Sequence, residues 1–593
     1  IYFFDGGASM RRALLCLAVI LTVSRLNAEI FDVPSAYPTI QEAIDSAVDG
    51  DTVLIAPGTY SGEGNTFLHT DGKAVTITSQ NGAEATIIDC DGGSAFYIDN
   101  SKKFSRLYED SNTVVSDLTI RSASTGLNLF LAWPKLEDLV FRNCGTALGF
   151  MPGKYEKLDV SGALIVRNCT FDGASFGTGN IGTWITLLID NCHFENISQI
   201  ALSSNGVITC KNSTFINTGC VFSNENHWSV EISFDSCSVD GTSDAFIGNC
   251  SIENTSVENA TVGVRNNSSC YGNVYVNQCS FKNISHTVFD IAGSFTVSNS
   301  EIIENPGQVA VTSGGMGDEC MSSLYLYGCI VSQNGGGINA SLGSSDINIV
   351  NTEFSHNQGG IDVSGHFDRL QISNSLYTGN SKPINYSSTF YSSFKVSNST
   401  IVTNDSGGVV VGDVDGYMDV ISNSIIAFNQ GVGLYVKPET LSDININCND
   451  VYANSVADYG GIADQTGQNG NMSDDPLFCD ILNGDFQLND SSSCAPDNND
   501  CTRLIGAYDV GCAWILCGDI NNDYLIGLED VVYLINYIFK GGPPPDPQDC
   551  ADSDCSGSVN LVDAVYLVRY LYSGGQAPCD TDNDGFMDCI PGY

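Results

Sequence analysis

The chain has 593 residues, with 69 acidic against 23 basic side chains and a formal net charge of −46. A field of that sign disfavours nucleic acid and anionic membrane as partners, and it repels an acidic polysaccharide unless a cation lies between them. The 61 glycines, with abundant Ser, Asn and Thr, favour strands and turns over helices, and the length allows several domains.

In chain order, MRRALLCLAVILTVSRLNA (residues 10–28) has the form of a signal peptide. Arg11 and Arg12 make a basic start, Ala13 to Val23 an apolar run too short to span a bilayer, and Ala28 a cleavage point. No second long apolar run is present. The expectation is a secreted or extracellular protein, at a bacterial cell surface, with no transmembrane segment. Loss of Cys16 leaves 22 of 23 cysteines, and export permits disulfides. In YPTIQEAIDSAVDG, Ile40, Ala43, Ile44, Ala47 and Val48 make one helical stripe. Thr39 with Glu42 fits a capping box and Gly50 suits the stop, so a helix should form here.

From about residue 117 to 454 the chain repeats. Segments such as LIDNCHFEN, INIVNTEFSHN, LQISNSLYTGN and FKVSNSTIVTN share an alternating strand, a turn residue, a small residue, and often a second Asn. The turn residue falls at Asp117, Asp138, Asn168, Asn191, Asn212, Ser236, Asn254, Gln278, Asn299, Gly328, Asn351, Asn374, Asn398, Asn423 and Asn447. One unit cannot bury its apolar face alone, whereas stacked units share a continuous core. Asn at a corner tolerates left-handed backbone and can hydrogen-bond its stacked neighbours. Residues 29–512 thus resemble a right-handed parallel β-helix of the pectate-lyase-like kind, with the N-terminal helix as a cap over the first coil and a closing segment at 475–512. Cys169, Cys192, Cys237, Cys279, Cys329 and Cys448 come directly after the turn residue where other units have Ser or Thr, so packing as buried free thiols accounts for them at least as well as disulfides do. Cys479, Cys494, Cys501 and Cys512 leave the repeat and are the disulfide candidates.

No catalytic motif stands out. His366, Asp368 and Arg369 form a small charged cluster that reads best as a loop salt bridge, and Asp413, Asp415 and Asp419 read best as a solvated turn. GTGNIG lies between strands and does not open a helix, which removes the dinucleotide reading.

The end of the chain carries a doublet 33 residues apart, CGDINNDYLIGLEDVVYLINY and CADSDCSGSVNLVDAVYLVRY. The first loop offers Asp519, Asn521, Asp523, the Leu525 carbonyl and Asp530 at positions 1, 3, 5, 7 and 12. The second offers Asp552, Asp554, Ser556, the Ser558 carbonyl and Asp563 at the same positions, with Asn560 at position 9. Hard oxygen ligands at this spacing fit Ca²⁺. Position 6 is Gly557 in one loop and Tyr524 in the other, which makes the first site the weaker. Residues 513–578 resemble a dockerin. The resemblance implies calcium-dependent docking onto a cohesin-like scaffold domain, and a carbohydrate-active protein tethered by it. Asp580, Asp582, Asp584 and Asp588 in the tail 579–593 are further candidate metal ligands, similar to a thrombospondin type 3 calcium repeat. Two function classes fit these features. One is a protein that binds or processes polysaccharide, as a lyase or glycoside hydrolase if it is an enzyme. The other is a non-catalytic adhesin or fibre with a β-helix stalk.

Overall fold

The computed structural model describes residues 28–578 except 100–111, 131, 151–161, 180–184, 204–205, 225–230, 267–271, 313–320, 341–343, 366–367, 389–391, 415–418, 513–516, 522–524 and 546–547. The signal stretch up to residue 27, His366, Asp415, Asp523 and the Asp-rich tail lie outside these residues. The chain forms two compact units, Ile1–Ser473 with Ile505–Ala507, and Asp474–Leu504 with Tyr508–Tyr593.

The first unit is a parallel β-solenoid of about 17 coils, built as three parallel sheets, the first including Ile185–Asp190, the second His193–Glu195 and the third Ile200–Ser203. Each coil adds one strand to each sheet. Ile185–Asp190, for example, pairs in parallel with Val207–Lys211, which in turn pairs with Ile232–Asp235. The expected inward pairs Ile347/Ile349, Leu370/Ile372 and Phe394/Val396 are all buried. Because like positions fall on like positions, Phe141, Phe171, Phe194 and Phe215 stack with centroids 5.0, 4.4 and 4.8 Å apart. Each such ring contributes roughly 2–3 kcal/mol by leaving water.

Two corners hold the coils. At the first, the turn residues from Asp117 to Asn423 have left-handed backbone, φ between 48° and 62°. The residue after each points inward, and its hydroxyl, where it has one, accepts an amide of the preceding coil. Ser213 Oγ takes Cys192 N–H at 3.1 Å, and Thr255 Oγ1 takes Cys237 N–H at 3.2 Å. The last marker shifts by one residue: Cys448, not Asn447, is left-handed (φ 53°), and Asn449 fills the inward position. Cys448 is accordingly not part of the buried thiol series, and it is disulfide-bonded. The buried asparagine ladder sits one corner further on. It is formed by the second Asn of the unit: Asn305, Asn334, Asn357, Asn380, Asn404, Asn429 and Asn454, each amide bonded to the next at 2.8–3.2 Å.

Cys169, Cys192, Cys237, Cys279 and Cys329 are buried free thiols. Burial pushes the Cys279 thiol up to about 11, so little thiolate exists at neutral pH. These five should resist alkylation in the native protein and react fully after unfolding without reductant. Cys479 and Cys512, 5.9 Å apart between Cα atoms in a disulfide, should react only once reduced. Mass spectrometry reads both.

Helix α1, Ile40–Ser46, packs Ile40, Ala43 and Ile44 into the core, and Thr39 Oγ1 accepts Glu42 N–H at 3.2 Å. It stops before Val48, which is exposed, because Asp51 Oδ2 takes the Val48 amide at 2.8 Å and pulls the chain out of helix.

In the second unit, Phe478–Asp480, Asp485–Asn489 and Val510–Cys512 make a small sheet. Helices α2, Leu528–Lys540, and α3, Leu561–Ser573, pack around Val531, Leu534, Ala564 and Leu567. Among the described residues no helix is long and apolar enough to cross a membrane.

Candidate metal centre and surface groove

Each loop of the doublet ends on an aspartate at the third position of its helix. Asp563 is fully buried there; its Oδ2 accepts Asn560 N–H at 2.7 Å and its Oδ1 accepts Asp554 N–H at 3.3 Å. This brings Asp552, Asp554 and Asp563 together, with one oxygen of each inside a 4.8 Å cluster. Gly557 adopts φ 81°, the left-handed turn that position 6 requires. The Ser558 carbonyl accepts Asn560 Nδ2–H at 2.7 Å, while Asn560 Oδ1 caps α3 by accepting Val562 N–H. Asn560 is thus the N-cap of α3 as well as position 9 of the loop. Ser556 donates its amide to both Asp552 and Asp554.

Burial, and then the charges of Asp554 and Asp552, push Asp563 up to about 6. A raised carboxylate favours the folded, metal-free form at low pH, and that contribution is lost as pH rises from about 4 through 6. A divalent cation would supply the missing positive charge above that range. Calcium affinity of the full chain is expected to fall steeply as pH drops below about 6, measured by calorimetry at pH 5, 6 and 7.

In the first loop, Asp530 is fully buried and accepts three amides: Ile520 at 2.7 Å, Asn521 at 3.0 Å and Gly527 at 2.7 Å. Asp519 is also buried. Asp523 lies outside the described residues, so the convergence of carboxylates is defined in the second loop alone.

The helices carry a second feature. Leu528, Val532 and Phe539 on α2 are exposed, and so are Leu561, Val565, Val568 and Tyr572 on α3. At the 33-residue offset Leu528, Val532 and Phe539 fall on Leu561, Val565 and Tyr572, while Val568 falls on half-buried Ile535. Their helical spacing suits Val565 and Val568 to the core between the helices, but they are 44% and 40% exposed; Ala564 and Leu567 take that role.

On the solenoid, a groove of about 370 Å³ runs over the outer face of the third sheet, lined by Gln308, Asn339, Asp362, Lys382 and Asn385. Asn339, Asp362 and Asn385 are register partners in successive coils, and Asn385 Nδ2 donates to Asp362 Oδ1 at 3.0 Å. Its floor is backbone. A Cβ at Gly337 would sit 1.9 Å from the Gly360 carbonyl, so no side chain fits there. The signal for this groove is the recurrence of glycine runs at 335–337 and 359–360, one coil apart.

The clusters singled out from sequence are structural. Asp368 is buried and accepts Ser345 N–H at 2.9 Å and Gly365 N–H at 2.6 Å, whereas Arg369 points outward on the first sheet. Among the described residues no ion pair joins Asp368 to Arg369, and His366 lies outside them. Asp413 pairs with Lys437 at 2.6 Å, and buried Asp419 accepts Phe394 N–H at 2.6 Å. Arg265 lies between Asp290 (2.8 Å) and Asp244 (3.6 Å) on the third sheet, held by two carboxylates.

No family model matches this chain, and no curated protein does. Solved structures similar to it include the catalytic domain of a GH87 α-1,3-glucanase in complex with nigerose, at 10% identity and TM-score 0.38 over 53% of this chain and 66% of that one. The PL6 family alginate lyase AlyGC gives 9% identity and TM-score 0.19 over 75% and 99%. The pectate lyase Pel9A gives 13% identity and TM-score 0.17 over 82% and 97%. The chain spans just under two thirds of the glucanase domain.

Proposed function

We propose that this is an exported, right-handed parallel β-helix protein that binds polysaccharide on its coils and is tethered through a calcium-dependent, dockerin-like C-terminal module. The observation that carries the tether is the duplication. Two loops each end on a buried helix-N3 aspartate, and each is followed by an exposed apolar stripe at the same offset. An exposed apolar stripe costs solubility unless a partner covers it; a cohesin-like scaffold domain is the partner the resemblance supplies. α1 is read as the cap of the solenoid's first coil.

The glycan reading is supported by the third-sheet groove, where amides, one carboxylate and one ammonium line a floor open to a chain-like ligand. Among the described residues Asp362 is its sole carboxylate, and hydrolysis by the usual route needs two. Binding without turnover is therefore the favoured form of the reading, and it also fits a surface adhesin. The test is a glycan array probed with the full chain in calcium, with product analysis on every glycan retained. Retention without released oligosaccharide is expected. Retention of no glycan would contradict the reading, and release of products would make the protein an enzyme.

A further inference from the structure

Strand His193–Glu195 of the second sheet is pinned at both ends, by left-handed Asn191 (φ 53°) and inward Cys192 before it and by left-handed Asn196 (φ 56°) after it. Phe194 points inward between Phe171 and Phe215, so His193 and Glu195 point outward on a base of stacked rings. One coil further on, Thr214 is the register partner of His193. The three side chains meet. His193 Nδ1 lies 2.5 Å from Thr214 Oγ1, and His193 Nε2 lies 3.4 Å from Glu195 Oε2.

These partners assign the tautomer. A carboxylate only accepts, so the ring proton sits on Nε2 and donates to Glu195. Nδ1 is then the acceptor, and the Thr214 hydroxyl donates to it. A hydroxyl held on a basic ring nitrogen, with the far nitrogen held by a carboxylate, is the arrangement that makes a hydroxyl nucleophilic. His286 shows the difference. Its Nδ1 meets the Thr287 hydroxyl at 3.0 Å, but among the described residues no ion pair holds its other nitrogen. Ser238, register partner of Thr214 on the next coil, accepts Ser256 O–H at 3.4 Å, which leaves its own proton for a further acceptor. That proton can go to the oxygen that gains charge when an acyl carbon is attacked.

Exposure and charge narrow the substrate. The His193 and Glu195 side chains are 36% and 41% exposed, and so open a face offers little apolar wall to a long acyl chain. Asp172, Glu195 and Asp240 lie along one register row in a chain of net charge −46, which disfavours an anionic substrate and favours release of a carboxylate product.

We propose that this grouping is a hydrolase site for uncharged, short-chain acyl esters, with Thr214 as nucleophile and His193 as base. Thr214 Oγ1 bonds to the acyl carbon while its proton passes to His193 Nδ1; the ester C–O bond breaks and that proton leaves with the alcohol. Water then attacks the acyl-threonine, returns a proton through His193 to Thr214 Oγ1 and releases the acid, so one water is consumed per ester. Glu195 acts through His193 and is a positioning residue. The site is independent of the polysaccharide-binding reading, since it cuts an acyl ester and no glycosidic bond.

The probe is p-nitrophenyl acetate with the full chain. Wild type should release p-nitrophenol faster than an equal concentration of free imidazole does, and peptide mass mapping after an acid quench should place an acetyl group on Thr214. Thr214→Ala should lose that adduct, Thr214→Ser should keep it, and His193→Asn should lose about 100-fold or more in rate. Glu195→Gln should lower kcat severalfold at unchanged KM. Thr170→Ala, at the register partner of His193 on its other side, should keep the wild-type rate and serves as the control for folding, with thermal melting followed in all five variants. Acetyl groups on His193 or lysines with none on Thr214, a wild-type rate in Thr214→Ala, or a wild-type chain no faster than imidazole would each overturn the proposal.

Discussion

Asp563→Ala is expected to lower calcium affinity of the full chain on the order of 100-fold, and more than Asp530→Ala does. Asp563 is where three carboxylates meet, so its loss removes an oxygen donor from the one such cluster among the described residues, whose oxygens lie within 4.8 Å. Asp530 acts differently. Its carboxylate accepts three amides inside the first loop, and alanine there would leave them without an acceptor in a buried setting. Asp530→Ala should therefore cost the second unit roughly 3–5 kcal/mol of stability, with or without calcium. Calorimetric titration and hydrogen exchange over α2 and α3 separate the two effects. Equal calcium affinities in both variants would contradict the assignment of the second loop as the stronger site.

The largest effect in the solenoid should come from Asn404→Ala. Asn404 Oδ1 accepts the Asn380 amide at 2.9 Å, and its Nδ2 donates to the Tyr377 carbonyl at 3.1 Å and to Asn429 at 2.9 Å. All of these groups are buried. Removing the side chain leaves an amide and a carbonyl unpaired, which costs roughly 3–5 kcal/mol. Because each coil touches only its neighbours, the loss should be local. Hydrogen exchange should rise in residues 377–430 and stay unchanged near the Phe141–Phe215 stack. Asp405→Ala, one residue along on an exposed turn, should change stability by less than about 0.5 kcal/mol. Comparable exchange in the two variants would mean that the ladder is incidental to packing.

The repeat was legible because a period-2 strand and an obligatory left-handed corner recur together, and chance rarely repeats both. The corner itself was legible to one residue. At NCND the sequence offers two asparagines, and only the fold shows that Cys448 turns while Asn449 points inward. The face of α3 was not legible. Val565, Val568 and Tyr572 are spaced as helically as Ala564, Leu567 and Leu571, so a helix apolar on two sides does not declare which side is covered. Asp368 and Arg369, adjacent in sequence, look like an ion pair, yet alternation sends one inward and one outward. The groove was hidden for another reason. Asn339, Asp362 and Asn385 lie about 23 apart, and only the coil register, fixed by loops of unequal length, brings them side by side.

The proposed tether requires the doublet to be a calcium-dependent fold. The direct measurement is hydrogen exchange of the full chain over Leu528–Lys540 and Leu561–Ser573, in saturating calcium and in excess chelator. Protection of both helices that appears only with calcium is the predicted result; full protection in chelator would show that the loops are ordinary acidic turns.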